Sequence, residues 1–246
     1  MNKELTILVS GASGATGKRL VAELLKRGHH VRIIVRSPDS VPASIINNDR
    51  LSIIHASILD LSDAELARHT AGCDAVASCL GHNLSFKGMF LPPRRLVTEA
   101  VRRLCGAIKA NNSGTPVKFV LMNTTANRNR DLNEPESFGQ KAVFKLLRVV
   151  LPPHVDNEKA ADYLRTQIGQ DDESIEWVAV RPDGLIDEEE VTQYDLYPSP
   201  IRSPIFDPGK TSRINVGHFM AELISNDATW KLWKGQMPVI YNRMVS

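Results

Sequence analysis

The sequence is short of the features that mark special environments. Cysteine is scarce: 246 residues hold three, Cys73, Cys79 and Cys105, without CxxC spacing and unable all to pair. That argues against a disulfide-stapled secreted scaffold and for a reducing, cytoplasmic setting. Long apolar runs are missing too; none reaches the ~18 residues of a membrane-spanning helix, so no membrane association is expected. Met1-Asn2-Lys3-Glu4 enters a strand-like run at once, unlike a signal peptide. Neither charge sign is in excess. Thirty Lys+Arg face 28 Asp+Glu, a formal +2, which gives no reason to expect a nucleic-acid partner. The remainder is ordinary, with 42% hydrophobic and 24% charged residues, 15 Gly and 14 Pro. A chain of this length can bury a substantial core without disulfides or metals.

Leu5–Ser10 is a short apolar run stopped by glycines, and reads as a buried strand. From Thr16 to Arg27 the period turns helical, with Leu20, Val21, Leu24 and Leu25 on one face and Gly28 at the C-cap. Val31–Val35 and Leu51–His55 read as strands, Asp63–His69 as a short helix and Asp74–Leu80 as a strand. Leu96, Val97, Ala100, Val101, Leu104, Cys105 and Ile108 mark a long helix between Pro93 and the Asn111-Asn112-Ser113-Gly114 stop. Val117–Met122 is the next strand. This alternation predicts right-handed βαβ crossovers and an α/β fold with a parallel sheet.

Beyond residue 122 the pattern loosens. Ala142–Leu151 and His154–Ile168 read as helices, Ile175–Val180 as a strand, Val216–Ile224 as a helix and Pro238–Tyr241 as a last edge strand. Asp187–Arg213 carries four prolines and little periodicity, so it is either a functional loop or a lid-like subdomain. No repeat or linker divides the chain. A single domain over 1–246 is expected, its substrate side built mainly from 124–170 and 183–215.

Gly11-Ala-Ser-Gly14-Ala-Thr-Gly17 falls between the first strand and the first helix. Glycines there permit a tight turn, close approach of backbone to a pyrophosphate, and helix-on-strand packing. Freed amides and the helix dipole then face phosphate. In this context the motif predicts dinucleotide binding. Which dinucleotide is decided where the second strand ends. An acidic residue at that position would take the ribose hydroxyls of NAD. Arg36 and Ser37 stand there instead, and a guanidinium suits a 2′-phosphate, so NADP(H) is favoured over NAD(H). Lys18 and Arg19 add positive charge nearby.

The GxxGxxG spacing within Val9–Gly17 resembles the atypical short-chain dehydrogenase/reductases, and among them the NAD(P)H-binding, NmrA-like and flavin/biliverdin-reductase-like group. Arg181-Pro182 and Ser212-Arg213-Ile-Asn-Val216 agree with it. The resemblance spans nearly the whole chain and implies a Rossmann-like doubly wound sheet flanked by helices. It also implies that Gly11, Ser13, Gly14, Ala15, Thr16 and Gly17 hold phosphates, with Arg36 and Ser37 at the ribose. Ser57 and Ile58 would lie at the adenine, Ser57 standing where the family commonly has an aspartate. Ser78-Cys79-Leu80-Gly81 would run beside the ribose and pyrophosphate, and Asn123-Thr124-Thr125 with Pro182 would face the nicotinamide.

The superfamily's usual Tyr-x-x-x-Lys pair is absent. Tyr163, Tyr194, Tyr197 and Tyr241 are followed four residues later by Gln167, Pro198, Ile201 and Val245. Proton exchange with a carbonyl by that route is therefore not expected. Acceptors with favourable electronics of their own, flavins or quinones, do not need it. The expected function is an NADPH-dependent reductase with a small-molecule acceptor, with His82, Asn123 and Thr124 at the reacting end. The alternative is a non-catalytic NADP-binding redox sensor acting through a regulatory protein partner. A homodimer is compatible with either. Asn83 and Lys87 follow His82. His154, Glu158 and Asp162 recur on one helix face beside Lys159. An exposed polar face is the simpler reading, with a proton relay or metal as the alternative. No third ligand has convincing spacing, so no metal is expected. Trp230 and Trp233 read as packing anchors.

Overall fold

The first apolar run becomes β1 (Thr6–Ser10), and its alternation divides the core. Ile7 and Val9 point to one face of the sheet, Leu8 to the other, and all three are buried. Helix α1 (Gly17–Lys26) lays Leu20, Val21, Leu24 and Leu25 on the first face. Burying each such leucine is worth about 2 kcal/mol, which is why a helix of ten residues stays docked. This computed structural model describes residues 3–81, 95–132, 134, 138–150 and 152–243.

After α1 come β2 (His30–Val35), the short helix α2 (Ala43–Ile46), β3 (Leu51–His55), α3 (Asp63–Thr70), β4 (Ala75–Ser78), α4 (Leu96–Asn111) and β5 (Val117–Met122). Ser62 and Glu65 close a reciprocal capping box at the start of α3. The N-cap of α4, Arg95, offers no side-chain cap. Its first amides are met from another helix: Val97 and Thr98 donate to the Asp156 carboxylate at 2.8 and 3.0 Å. The chain continues through α5 (Phe138–Val150), α6 (Pro152–Tyr163), a π-turn (Leu164–Ile168) and β6 (Ile175–Pro182). It ends with β7 (Gly184–Ile186), β8 (Tyr194–Tyr197), β9 (Lys210–Ser212), α7 (Arg213–Ser225), α8 (Asp227–Trp233) and β10 (Val239–Asn242).

The main sheet runs β3-β2-β1-β4-β5-β6-β10-β8. Every pairing is parallel except β8 against β10. Helices α1, α7 and α8 cover one face and α3, α4 and α6 the other. This is a Rossmann-like doubly wound fold. Strand order reverses between β1 and β4, and ligands of such sheets lie in the crevice beyond the carboxyl ends at that point. Among the described residues no helix is long and apolar enough to cross a membrane.

One expectation is corrected. The strand near 238–241 does not form an edge: Val239–Asn242 sits between β6 and β8. The segment 187–213, read as a functional loop or a lid-like subdomain, holds two short strands: Tyr194–Tyr197 is the outermost strand of the main sheet and Lys210–Ser212 pairs with β7. Prolines and short length hid both strands. Trp230 and Trp233 are core residues, as expected.

His29 is buried just after α1, and burial pushes its imidazole below the usual 6.5. Nδ1 accepts the Leu5 amide at 3.3 Å, so the ring proton sits on Nε2 and is donated to Ser225 Oγ at 2.9 Å. The unfolded chain takes up a proton near pH 6.5 that the folded ring resists. Folding stability is therefore expected to fall as pH drops below 6.5 toward the folded value. His29→Gln should flatten that part of a urea-unfolding series against pH, and an unchanged slope would refute the assignment.

Candidate dinucleotide site

The turn between β1 and α1 is held at van der Waals limits. Gly11 has φ +76°, and a Cβ there would stand 2.6 Å from the Cys79 carbonyl carbon and 2.7 Å from the Leu80 nitrogen. A Cβ on Gly17 would stand 2.1 Å from the Gly11 carbonyl oxygen. The glycines thus allow the turn to press against the end of β4 and α1 to press against the turn. The Gly14 amide closes the turn on the Gly11 carbonyl at 3.0 Å. Thr16, at the N-cap, makes no side-chain cap. The amides of Ser13, Ala15 and Thr16 donate to no acceptor among the described residues. Ser13, Gly14 and Ala15 are exposed, while Thr16 and Gly17 are buried. Unsatisfied donors at a helix N-terminus, in a cradle that a methyl group would fill, fit a diphosphate.

Arg36 and Ser37, both exposed, lie at the carboxyl end of β2. Among the described residues the Arg36 guanidinium has no hydrogen-bond or ion-pair partner. Arg19 is committed elsewhere: its guanidinium donates to the Ala15 carbonyl at 2.6 Å and pairs with Asp187 at 3.0 Å. Asp187 also pairs with Arg213 at 2.9 Å. Ser57 is half-buried and Ile58 buried in the loop after β3. Ser78 is buried, Cys79 and Leu80 are half-buried and Gly81 is exposed at the end of β4. Desolvation pushes the Cys79 thiol up to about 12, leaving it an inert neighbour of the turn. His82, with Asn83 and Lys87, lies outside the described residues.

At the end of β5, Asn123 is buried and hydrogen-bonded through both ends of its amide. Its Oδ1 accepts from the Thr124 amide at 2.8 Å and from Asn127 Nδ2 at 2.7 Å. Its Nδ2 donates to the Asn157 carbonyl of α6 at 3.1 Å, and Asn127 donates to the same carbonyl at 2.8 Å. Asn123 is therefore a pin between sheet and helix. Thr124 Oγ1 accepts the Ala126 amide at 3.3 Å. Thr125 Oγ1 donates to Asp183 at 3.1 Å. Asp183 also accepts from the Gly184 and Gly209 amides. Burial nevertheless raises its carboxyl above the usual carboxylate range. Pro182 is buried beside it.

The largest commitment was not foreseen as a site. Arg181, with 0% of its side chain exposed, pairs with Glu134 (5%) at 2.7 Å. It also donates to the carbonyls of Met237, Asn127 and Pro198 at 2.6, 2.9 and 3.0 Å. The sequence signal was an arginine closing an otherwise apolar strand, since a buried cation demands partners. His154 and Glu158 also depart from expectation. Their side chains are 8% and 9% exposed and stand 3.7 Å apart, and His154 stacks on Phe144. The expected exposed face is covered because α5 packs there. Asp162 pairs instead with Arg130 at 2.8 Å. Among the described residues no His, Cys, Asp and Glu cluster has the makings of a metal centre.

Glu134→Ala is expected to destabilise the protein by about 3–5 kcal/mol in urea unfolding, because it strands a buried guanidinium. Adding Arg181→Met should recover part of that loss. No recovery would show that the carbonyl bonds, and not the charge pair, carry the energy. Gly17→Ala is expected to weaken dinucleotide binding at least about tenfold in a fluorescence titration, since the Gly11 carbonyl must move. Wild-type affinity would show that the turn yields without cost.

The profile of a family described as NAD(P)H-binding matches residues 11–227. A stretch of 75 residues is 40% identical to cinnamoyl-CoA reductase 1 of rice (Oryza sativa subsp. japonica). It covers 28% of this chain and 22% of that protein, so the chain spans under a quarter of this curated relative. A short-chain dehydrogenase/reductase from Veillonella parvula, solved in complex with NADP, superposes with a TM-score of 0.69 at 16% identity, over 98% of this chain and 95% of that one. A candidate NADH-flavin reductase from Streptococcus pneumoniae superposes with a TM-score of 0.63 at 19% identity, covering 97% and 100%. At these identities the superpositions bear on fold alone. The profile match, spanning most of the sequence and beginning on the first glycine of the turn, makes this chain a member of the NAD(P)H-binding family.

Proposed function

We propose that this protein is an NADPH-dependent reductase that passes hydride to a flavin, quinone or similar small acceptor. The observation that carries the cofactor preference is Arg36, an exposed guanidinium without a partner among the described residues, at the strand end beside the phosphate cradle. Gly11, Ser13, Gly14, Ala15, Thr16 and Gly17 would hold the diphosphate. Arg36 and Ser37 would hold the 2′-phosphate, and Ser57, Ile58, Cys79, Leu80 and Gly81 would line the adenosine half. Asn123, Thr124 and Pro182 would border the nicotinamide, with the acceptor side built from 124–170 and 183–215. The bound dinucleotide supplies the hydride.

The choice of acceptor follows from how the polar groups are spent. Asn123 is tied to α6 and Thr125 to Asp183, while Thr124 Oγ1 accepts the Ala126 amide. Their task is to shape the floor and hold α6 against it. An acceptor that takes two electrons readily needs one hydride from the cofactor and one proton from water, and so suits such a floor. The candidate NADH-flavin reductase among the structural relatives supports this reading.

Arg36→Asp tests the cofactor preference. NADPH affinity is expected to fall about a hundredfold while NADH affinity changes little, because repulsion replaces a charge-assisted pair. Equal loss of both would remove Arg36 from that role. Turnover is tested by NADPH oxidation with FMN, FAD and small quinones. Tight NADPH binding without oxidation across that panel would replace the reductase with the redox sensor.

A further inference from the structure

Four large apolar side chains are left in water on two segments that touch. Phe138 and Leu146 of α5 are 89% and 61% exposed, and Ile201 and Phe206 of the β8–β9 connection are 59% and 63% exposed. Phe138 and Leu146 lie about two turns apart on the outer side of the helix, with exposed Lys145 beside Leu146, while Phe144 points inward and is buried. One hydroxyl joins the segments: Ser203 Oγ accepts from Gln140 Nε2 at 2.9 Å and from the Phe206 amide at 3.1 Å. Gln140 and Phe144 also line one small cavity with Pro200 and Pro204. The four side chains therefore belong to one surface. Leaving groups of this size in water forgoes the burial that stabilises the core, and such patches mark contact surfaces.

The charge on this surface has one sign. Helix α5 contains Lys141, Lys145 and Arg148 and no acidic residue, and the acid-free run extends from Ser137 to Val155. Glu134, just before it, is spent on Arg181. Lys145 has no hydrogen-bond or ion-pair partner among the described residues. On the facing loop Arg202 pairs with Asp207 at 2.6 Å, so that pair adds no net charge. Exposed apolar side chains beside an unpaired lysine, on a basic helix without carboxylates, match the headgroup region of an anionic bilayer. A second copy of the chain is a poorer match, because a two-fold contact would set this basic helix against itself. The absence of a long apolar run speaks only against spanning, and a helix lying in the interface needs no such length.

We propose that α5 and the 201–206 loop dock on an anionic membrane surface. Phe138, Leu146, Ile201 and Phe206 enter the boundary between headgroups and acyl chains, and Lys145 meets the lipid phosphates. The inference stands apart from the cofactor reading.

The test sediments the full chain with vesicles of phosphatidylcholine alone, and of phosphatidylcholine and phosphatidylglycerol in equal parts, at low and high salt. Partitioning onto the anionic vesicles is expected to exceed that onto the neutral ones at least about tenfold, and to fall as salt is added. Phe138→Ser combined with Phe206→Ser is expected to lower it at least about tenfold, and Lys145→Glu about tenfold. Both variants replace exposed side chains, so their urea-unfolding midpoints should match the wild type. No preference for the anionic vesicles overturns the inference, and so does binding that neither variant weakens. A dimer in sedimentation velocity that the double serine variant dissociates would make a second copy the occupant, and overturns it as well.

Discussion

The buried guanidinium of Arg181 organises the half of the molecule that follows β5. It stands near the carboxyl end of β6 and from there gathers three separate stretches of chain. Asn127 and Glu134 come from the connection after β5, Pro198 from the turn after β8, and Met237 from the approach to β10. None of these stretches has an extended apolar face of its own. A charge in a dry site makes their spacing strict, because removing any partner leaves part of the desolvation cost without return. Asp183, two residues on, repeats the device on a smaller scale with Thr125, Gly184 and Gly209.

The nucleotide half is built on the opposite principle, by omission. Gly11 and Gly17 leave out side chains so that backbone can touch backbone, and the turn ends up with amides that face outward. Two arginines stand outside the turn in different electrostatic settings. Arg36 is left open, whereas Arg19 is neutralised by Asp187. One arginine beside the turn is thus paired and the other open among the described residues, a difference that only geometry shows.

How far the sequence could be read follows from this division. The first five strands and their helices repeat at periods set by burial on a two-faced sheet, so Thr6–Ser10, Leu51–His55 and Val117–Met122 were legible as strands. The glycine turn and Arg36 were legible for the same local reason. Tyr194–Tyr197 and Val239–Asn242 were harder, since each is four residues long and its place depends on a partner far away in sequence. Asn127 and Arg103 act through main-chain carbonyls, and Glu134 meets its arginine 47 residues away in sequence, so neither leaves a pattern in the spacing of residue types. His154 and Glu158 look like a solvated face until α5 is laid over them.

The interior position of β10 bears on how the chain is assembled during synthesis. Strand β8 has no pairing among the described residues except with β10, and β10 joins the sheet through β6. Residues 194–197 therefore emerge from the ribosome more than forty residues before the strand that receives them. Throughout that interval the flank of β6 lacks its hydrogen-bonding neighbour, a bare edge open to foreign strands. That flank waits on the last strand described, the step at which a folding helper would matter most.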